Sequence, residues 1–114
     1  MLGLMQQQPL LISTLLRHAA RHHGTAEVVS ATGSGAVRHS TWAETERRAR
    51  QLVRALQALG ICAADRVGTL AWNDYRHLEV YYATSGMQAI CHTINPRLAA
   101  GDIAYIINHA GDSV

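Results

Sequence analysis

Two short apolar segments with a helical segment between them constrain the fold of this 114-residue chain more than any other feature. Residues 66–72 and 89–94 are continuously apolar rather than alternating, which is typical of strands buried on both faces of a parallel sheet. Residues 75–87 have helical spacing, and small side chains at 83–86 allow a close approach to the sheet. This pattern predicts two parallel strands joined by a right-handed crossover helix.

The N-terminal third predicts a helix followed by a β-hairpin. Residues 10–23 carry apolar residues at helical spacing, and Gly24 is placed to cap the end of that helix. Two β-rich segments, 27–31 and 37–40, flank the turn residues 32–35 (TGSG), which predicts a hairpin.

A second helix has the clearest start and stop signals in the chain. Thr41 and Glu44 fit a capping box, in which each side chain bonds the backbone of the other residue. An apolar stripe follows, with the arginines at 47, 48, 50 and 54 pointing mostly outward. Gly60 is placed to end the helix, and Ile61 to fold back onto its last turn.

The C-terminal part predicts one more helix and the beginning of one more strand. Asn95 and Pro96 break the strand before them, and residues 101–109 place three isoleucines on one helical face. Residues 112–114 resemble the lead-in to another strand, so a sheet that stops there has an open edge. We therefore expect an α/β fold with a partial parallel sheet, an N-terminal helix and a hairpin, forming the front of a larger domain.

Composition excludes several classes of function. All ten basic residues are arginine, so a phosphate-binding loop of the Gly-Lys-Ser/Thr kind and a Schiff-base lysine are absent. The net charge of +2 is small and spread out, which argues against nucleic-acid binding. The start lacks the basic residues of a signal peptide, and no apolar run approaches the ~20 residues of a membrane helix. Two widely spaced cysteines fit a reduced, cytoplasmic protein.

Histidine and cysteine offer two candidate sites, and each has a simpler explanation. His18 and His22 lie four apart with His23 beside them, but no acidic residue in that helix completes a zinc site. Solvated histidines near a helix C-terminus account for them better. Cys91 and His92 are neighbours on a strand and point to opposite faces, so they cannot form a dyad, and a buried structural cysteine is the better interpretation.

Three further groups were weighed as sites. Residues 32–35 resemble a phosphate cradle, but they lie between strands and a hairpin turn explains them. Asp65, Arg66 and Glu79 are lone charges without a partner at catalytic spacing. The strand ends at 72–73 and 93–95 could line a cleft, because ligands approach the carboxyl ends of parallel strands. They could equally be loop caps, and the loop role is favoured.

A series of segments resembles a known family. Residues 41–44 (TWAE), 58–60 (ALG), 64–73 (ADRVGTLAWN), 75–82 (YRHLEVYY), 92–98 (HTINPRL) and 103–109 (IAYIINH) follow one another in the order found in the N-terminal part of AMP-forming acyl-CoA synthetases, members of the adenylate-forming superfamily. The run at 92–98 and the helix after it most resemble bacterial medium- and long-chain fatty-acyl-CoA ligases and methylthiopropionate-CoA ligases. The resemblance covers the chain from about Leu11 onward.

The resemblance implies a two-step ligase that uses ATP, magnesium and CoA. A carboxylate such as a fatty acid attacks ATP, giving an acyl-adenylate and pyrophosphate, and the CoA thiol then displaces AMP. Residues 1–114 would be the N-terminal portion of the AMP-binding domain, ending before the phosphate-binding loop. No catalytic, cofactor-binding or metal-binding residue is carried over to this chain, which alone is expected to be a scaffold without activity. The partners implied are the remainder of the ligase and, in some relatives, a second subunit of a homodimer.

Some positions depart from the family pattern. Ala64 stands where a glycine is common before the strand, and Gly101 and Gly111 replace residues that favour the last helix, which puts local stability in doubt. Two alternatives to the ligase stay open. One is a free-standing α/β module that binds a partner or a small ligand without catalysis, and the other is a structural or dimerising domain.

Overall fold

A computed structural model describes residues 3–114, so the first two residues of the predicted domain 1–114 lie outside it. The described chain is a mixed α/β fold with a two-stranded antiparallel sheet and a two-stranded parallel sheet. In chain order its elements are α1 (Ile12–His22), β1 (Glu27–Ala31), β2 (Val37–Thr41), α2 (Trp42–Ala58), β3 (Arg66–Leu70), α3 (Tyr75–Gly86), β4 (Ile90–Ile94) and α4 (Ala100–Ala110).

The strand–helix–strand unit forms as predicted. Strands β3 and β4 pair in parallel, with Arg66 opposite Ile90 and Leu70 opposite Ile94. Helix α3 connects them, and its small residues Ala83 and Thr84 have no exposed surface. Small side chains at this point let the helix backbone approach the sheet closely, which explains why the sequence carries them there.

The last residues of the chain add to the edge of β3. Ser113 N–H donates to the Arg66 carbonyl at 2.8 Å, and Gly68 N–H donates to the Val114 carbonyl at 2.7 Å. On the other side, Ile90 N–H of β4 bonds the carbonyl of Asp65. Because successive backbone groups of a strand point to opposite edges, residues 113–114 lie on the edge of β3 away from β4. The predicted lead-in to a further strand is confirmed.

The predicted burial of the strands on both faces is wrong for the described chain. In β3, Val67 and Thr69 are buried while Arg66 and Leu70 are exposed, and β4 buries only Ile94. The buried face packs on α3 and on the end of α2. The other face has no comparable layer, because α4 contains no buried residue.

The core lies between α2, β3 and α3. Leu56, Ile61 and Val67 form its buried centre, with Leu52, Met87 and Ala89 packed around it. Helix α1 joins this core through one buried side chain, Leu16, which lies against the face of α2 that carries Ala49. The hairpin is tied to α3 by the Tyr75 N–H, which donates to Ser30 Oγ at 2.9 Å.

Helix α2 starts and stops where the sequence predicts. Glu44 N–H donates to Thr41 Oγ1 at 3.2 Å, which is the first half of the capping box. The second half is wrong, because the Glu44 carboxylate pairs with Arg38 at 3.1 Å instead of reaching back to residue 41. At the other end, Gly60 takes a left-handed conformation and the Ile61 N–H bonds the Leu56 carbonyl, closing the last turn.

Two other glycines differ from their predicted roles. Gly24 does not cap α1 in a left-handed conformation; the cap is His23, and a Cβ at Gly24 would lie 2.5 Å from the Ala20 carbonyl oxygen. Gly24 is thus required for a close approach. Gly111 caps α4 at a φ of 64°, where glycine is favourable, so its presence does not weaken that helix.

Glu79 and Arg48 correct the interpretation of lone, outward-pointing charges. Arg48 Nε and Nη2 donate to the two oxygens of Glu79, at 2.5 and 3.0 Å, and Glu79 is buried. The hydrogen bond to Glu79 raises the pKa of Arg48 further above its usual value, against the effect of burial. This fork joins α2 to α3.

Candidate functional site

The carboxyl ends of β3 and β4 enclose a cavity of about 590 Å³, which we call the strand-end cleft. Both predicted strand-end segments, 72–73 and 93–95, lie in its wall. Its volume is within the range of small-molecule sites, about 300–1,000 Å³. The residues that line it are Ala71, Trp72, Asn73, His77, Tyr81, Thr93, Ile94, Asn95, Pro96 and Arg97.

Arg97 supplies the positive charge of the cleft. Its guanidinium carbon lies 5.2 Å from the centre of the Trp72 ring, a cation–π distance. The Arg97 N–H donates to Asn95 Oδ1 at 3.0 Å, which fixes the turn after β4. Arg97 has no carboxylate partner in the described part of the chain.

A buried histidine organises the floor of the cleft. His77 Nε2 lies 3.1 Å from Thr69 Oγ1, and Nδ1 lies 3.2 Å from Asn73 Oδ1. The ring stacks on Tyr81 with 4.7 Å between centroids. With the Asn73 oxygen facing Nδ1, that nitrogen carries the proton and Nε2 accepts from Thr69. Sequence reasoning missed His77, and its place three residues after a helix start beside a strand was the available signal.

The start of α3 is closed by its own sequence. Asp74 Oδ1 accepts from the N–H groups of Arg76 and His77, at 2.9 and 3.3 Å. The carboxylate therefore occupies the position in which an anion would meet the helix N-terminus. An anionic ligand in the cleft would meet Arg97 and the Asn73 amide instead.

Cys91 and His92 separate as the strand geometry predicts. The Cys91 thiol faces Thr84 and Thr69, and burial raises its pKa, which keeps it protonated and inert. His92 points to the other face, where Nδ1 lies 2.9 Å from both oxygens of Asp112. This ion pair anchors the segment that follows α4, and sequence reasoning did not foresee it.

The remaining candidates have structural roles. The turn at 32–35 closes the hairpin, with the Thr32 N–H bonding the Ala36 carbonyl. His18, His22 and His23 stack on one another at 4.7 and 5.9 Å. Within residues 3–114, no cluster of three or more His, Cys, Asp or Glu side chains is arranged to hold a metal ion. In the same residues, no helix is both long and apolar enough to cross a bilayer.

The cleft is suited to binding rather than to bond making. It offers one guanidinium, two amides, a hydroxyl and an aromatic face, and its lining contains neither a carboxylate nor a thiol. The one imidazole in its wall has both nitrogens engaged. An anionic group with a planar neighbour fits this set.

Comparison with known proteins identifies relatives over nearly the whole chain. The family described as AMP-binding enzyme matches residues 15–114. The 3-methylmercaptopropionyl-CoA ligase of Ruegeria lacuscaerulensis and the medium-chain-fatty-acid–CoA ligase of Ectopseudomonas oleovorans are each 55% identical over 114 residues. Those matches span all of this chain and 21% of each relative, so the chain has about a fifth of their length.

Solved structures share the fold. The inhibitor-bound N-terminal domain of FACL13 from Mycobacterium tuberculosis matches with a TM-score of 0.82 and 27% identity, over 91% of this chain and 26% of that one. IdnL1 matches with a TM-score of 0.81 over 95% of this chain and 22% of that one, and at 17% identity it supports the fold alone.

Proposed function

The chain belongs to the AMP-binding enzyme family, and we propose that it forms the N-terminal part of the large domain of an AMP-forming acyl-CoA ligase. The complete enzyme would join ATP, a carboxylate and CoA to give acyl-CoA, AMP and pyrophosphate through an acyl-adenylate, with magnesium. The observation that carries this proposal is the 55% identity, over the full 114 residues, to two proteins that are both named CoA ligases.

The proposed substrate is a carboxylate with an alkyl chain, such as a fatty acid. The relatives are named for a methylmercaptopropionyl group, for medium-chain acids and, in Thermus thermophilus at 48% identity, for long-chain acids. These acyl groups differ in length but share an aliphatic body. We place the enzyme in the cytoplasm, and the support is that Cys62 and Cys91 are both free thiols, as in a reducing compartment.

In this proposal the chain is a wall of the ligase, and the groups that make and break bonds lie elsewhere. Residues 1–114 would precede the phosphate-binding loop and contribute no catalytic residue. The strand-end cleft gives the wall one feature that a phosphate-bearing reactant would meet, the Arg97 guanidinium stacked on Trp72. The partner required for activity is the rest of the ligase, about four fifths of a relative's length.

The experiment is a chimera in which this chain replaces the matching segment of the Ectopseudomonas oleovorans ligase. We expect carboxylate-dependent ATP–pyrophosphate exchange and acyl-CoA formation from the chimera, and neither from the 114-residue chain alone. A folded chimera without exchange contradicts the assignment, and exchange by the chain alone contradicts the absence of catalytic residues.

The cleft also supports the second candidate, a module that binds a small anionic ligand without catalysis. Calorimetry of the chain alone with ATP and with CoA separates the two. Tight binding that Arg97→Gln abolishes, together with an inactive chimera, favours the module. An active chimera in which Arg97→Gln raises the KM for one phosphate-bearing reactant, with kcat unchanged, favours the ligase.

A further inference from the structure

The N-terminal end of α1 exposes large apolar side chains. The side chains of Leu10, Leu11, Ile12 and Leu15 are 102, 50, 56 and 62% exposed. Only Leu16 of this helix is buried. The packing of α1 on α2 therefore uses one side of the helix and leaves a contiguous apolar strip beside it, uncovered in the described residues.

The same region carries positive charge without any negative charge. The first acidic residue of the chain is Glu27, so residues 1–26 contain Arg17, Arg21 and three histidines but no carboxylate. At 100° per residue, His22 and His18 lie directly beside Leu15 on the helix surface, and Arg21 follows them. We call the combination of Leu10, Leu11, Ile12, Leu15, Arg17 and Arg21 the α1 face.

Helix α2 extends the positive charge across the neighbouring groove. A cavity of about 500 Å³ between the helices has Leu11, Leu16 and Val53 in its floor and arginines at its rim. Of those arginines, Arg50 pairs with Glu46. Arg17 and Arg54 have no acidic partner in the part of the chain that the structure describes.

An occupant of this surface must be apolar at its centre and negatively charged at its margin. A second copy of the chain is a poor occupant, because a two-fold contact would bring Arg17 and Arg21 of one copy against the same residues of the other. A bilayer that contains anionic lipid supplies both properties: acyl chains accept the leucines, and the headgroups accept the long arginine side chains.

We propose that the α1 face binds the surface of an anionic phospholipid membrane. The helix lies in the interface, with Leu10, Leu11, Ile12 and Leu15 among the upper acyl chains and Arg17 and Arg21 at the phosphates. This contact is peripheral, and it does not depend on the strand-end cleft or on the identity of the reaction.

The test is flotation of the 114-residue chain and of the ligase chimera with vesicles of phosphatidylcholine, with and without phosphatidylglycerol. We expect binding to the anionic vesicles and loss of that binding at high salt. Arg21→Gln should weaken it about fivefold, the equivalent of the ~1 kcal/mol that one cation contributes near an anionic leaflet. Leu15→Ser should weaken it by about tenfold, through the lost burial of one leucine side chain.

Matched variants elsewhere on the surface serve as controls. Leu59→Ser removes an exposed leucine at the far end of α2, and Arg76→Gln removes an exposed arginine of α3. Both should bind vesicles like the unmodified chain. Far-UV circular dichroism of all four variants checks that each is folded, since none of the four side chains is buried.

Three results would overturn the proposal. The first is equal binding to neutral and anionic vesicles, or equal loss in the control variants. The second is a dimer in sedimentation that Leu15→Ser dissociates while vesicle binding is unchanged, which identifies a second copy as the occupant. The third is binding by the chain but not by the active chimera, which identifies the rest of the ligase as the cover of this face.

Discussion

Replacement of Gly68 by alanine should release the C-terminal segment from the sheet. A Cβ at Gly68 would lie 2.8 Å from Asp112 Oδ2 and 3.1 Å from Asp112 Cγ. The Asp112 carboxylate is only 3% exposed and is held against the strand by His92, whose Nδ1 bonds both of its oxygens. A methyl group at this position cannot fit unless Asp112 moves and this pair opens.

The size of the effect follows from what is lost and gained. A hydrogen bond to a charged group contributes roughly 1.5–3 kcal/mol to stability. Alanine in a strand recovers about 0.5–1 kcal/mol relative to glycine through its lower conformational entropy when unfolded. We therefore expect Gly68→Ala to lower the free energy of unfolding by about 1–2 kcal/mol.

Urea unfolding followed by far-UV circular dichroism measures this change, and amide exchange localises it. The N–H groups of Ser113 and Gly68, which join the chain end to β3, should exchange faster in the variant. Gly86→Ala and Gly101→Ala are the controls, because a Cβ at either position meets nothing within 4 Å and each should be neutral or stabilising. A Gly68→Ala chain that keeps full stability and full protection at Ser113 would refute this reasoning.

Three further changes test other parts of the structure. Arg48→Leu and Glu79→Leu should each cost roughly 2 kcal/mol in urea unfolding, below the 3–5 kcal/mol of a fully buried pair because Arg48 is one third exposed, and the double variant should cost clearly less than the sum. Ala64→Gly should raise the melting temperature, since Ala64 has a φ of 69° and that conformation costs an L-residue about 1–2 kcal/mol; an unchanged or lower value contradicts it. In thiol titration with a disulfide reagent, Cys91 should react only at higher pH than the exposed Cys62, because burial raises the pKa of Cys91; equal pH midpoints would be the contrary result.

Local signals in the sequence predicted the elements, because each depends on residues a few positions apart. The stop of α2 at Gly60 with Ile61, the hairpin around 32–35 and the cap at Thr41 all follow from short-range hydrogen bonds. The burial of β3 on both faces was a prediction about packing. It failed because it depends on a second layer of helices, which the pattern within a strand cannot supply.

Polar contacts between distant residues were beyond the sequence patterns. Arg48 and Glu79 are 31 positions apart, and His92 and Asp112 are 20 apart. Each member looks like an ordinary solvated charge in its own segment. Their pairing depends on how α3 lies on α2 and how the chain returns to β3, so only the assembled fold reveals it.

The candidate site was predictable as a region and not as a set of residues. The rule that ligands approach the carboxyl ends of parallel strands located both segments that line the cleft. It gave no means of recognising Arg97, because the stacking of its guanidinium on Trp72 connects the ends of two different strands. The choice of a loop role over a cleft for these segments therefore rested on an incomplete list of side chains.

The use that the fold makes of its reactive side chains explains why it resembles a wall more than an active site. Both nitrogens of His77 are engaged in the floor of the cleft, and both oxygens of Glu79 bond Arg48. A general acid or base needs a free atom directed at a reactant, and these groups have none. In the strand-end cleft the side chain left with an unengaged charge is Arg97, which can bind an anion but cannot exchange a proton near neutral pH. A segment with these properties contributes affinity for a charged reactant, while the proton transfers and the attack on ATP must be supplied by another part of a complete ligase.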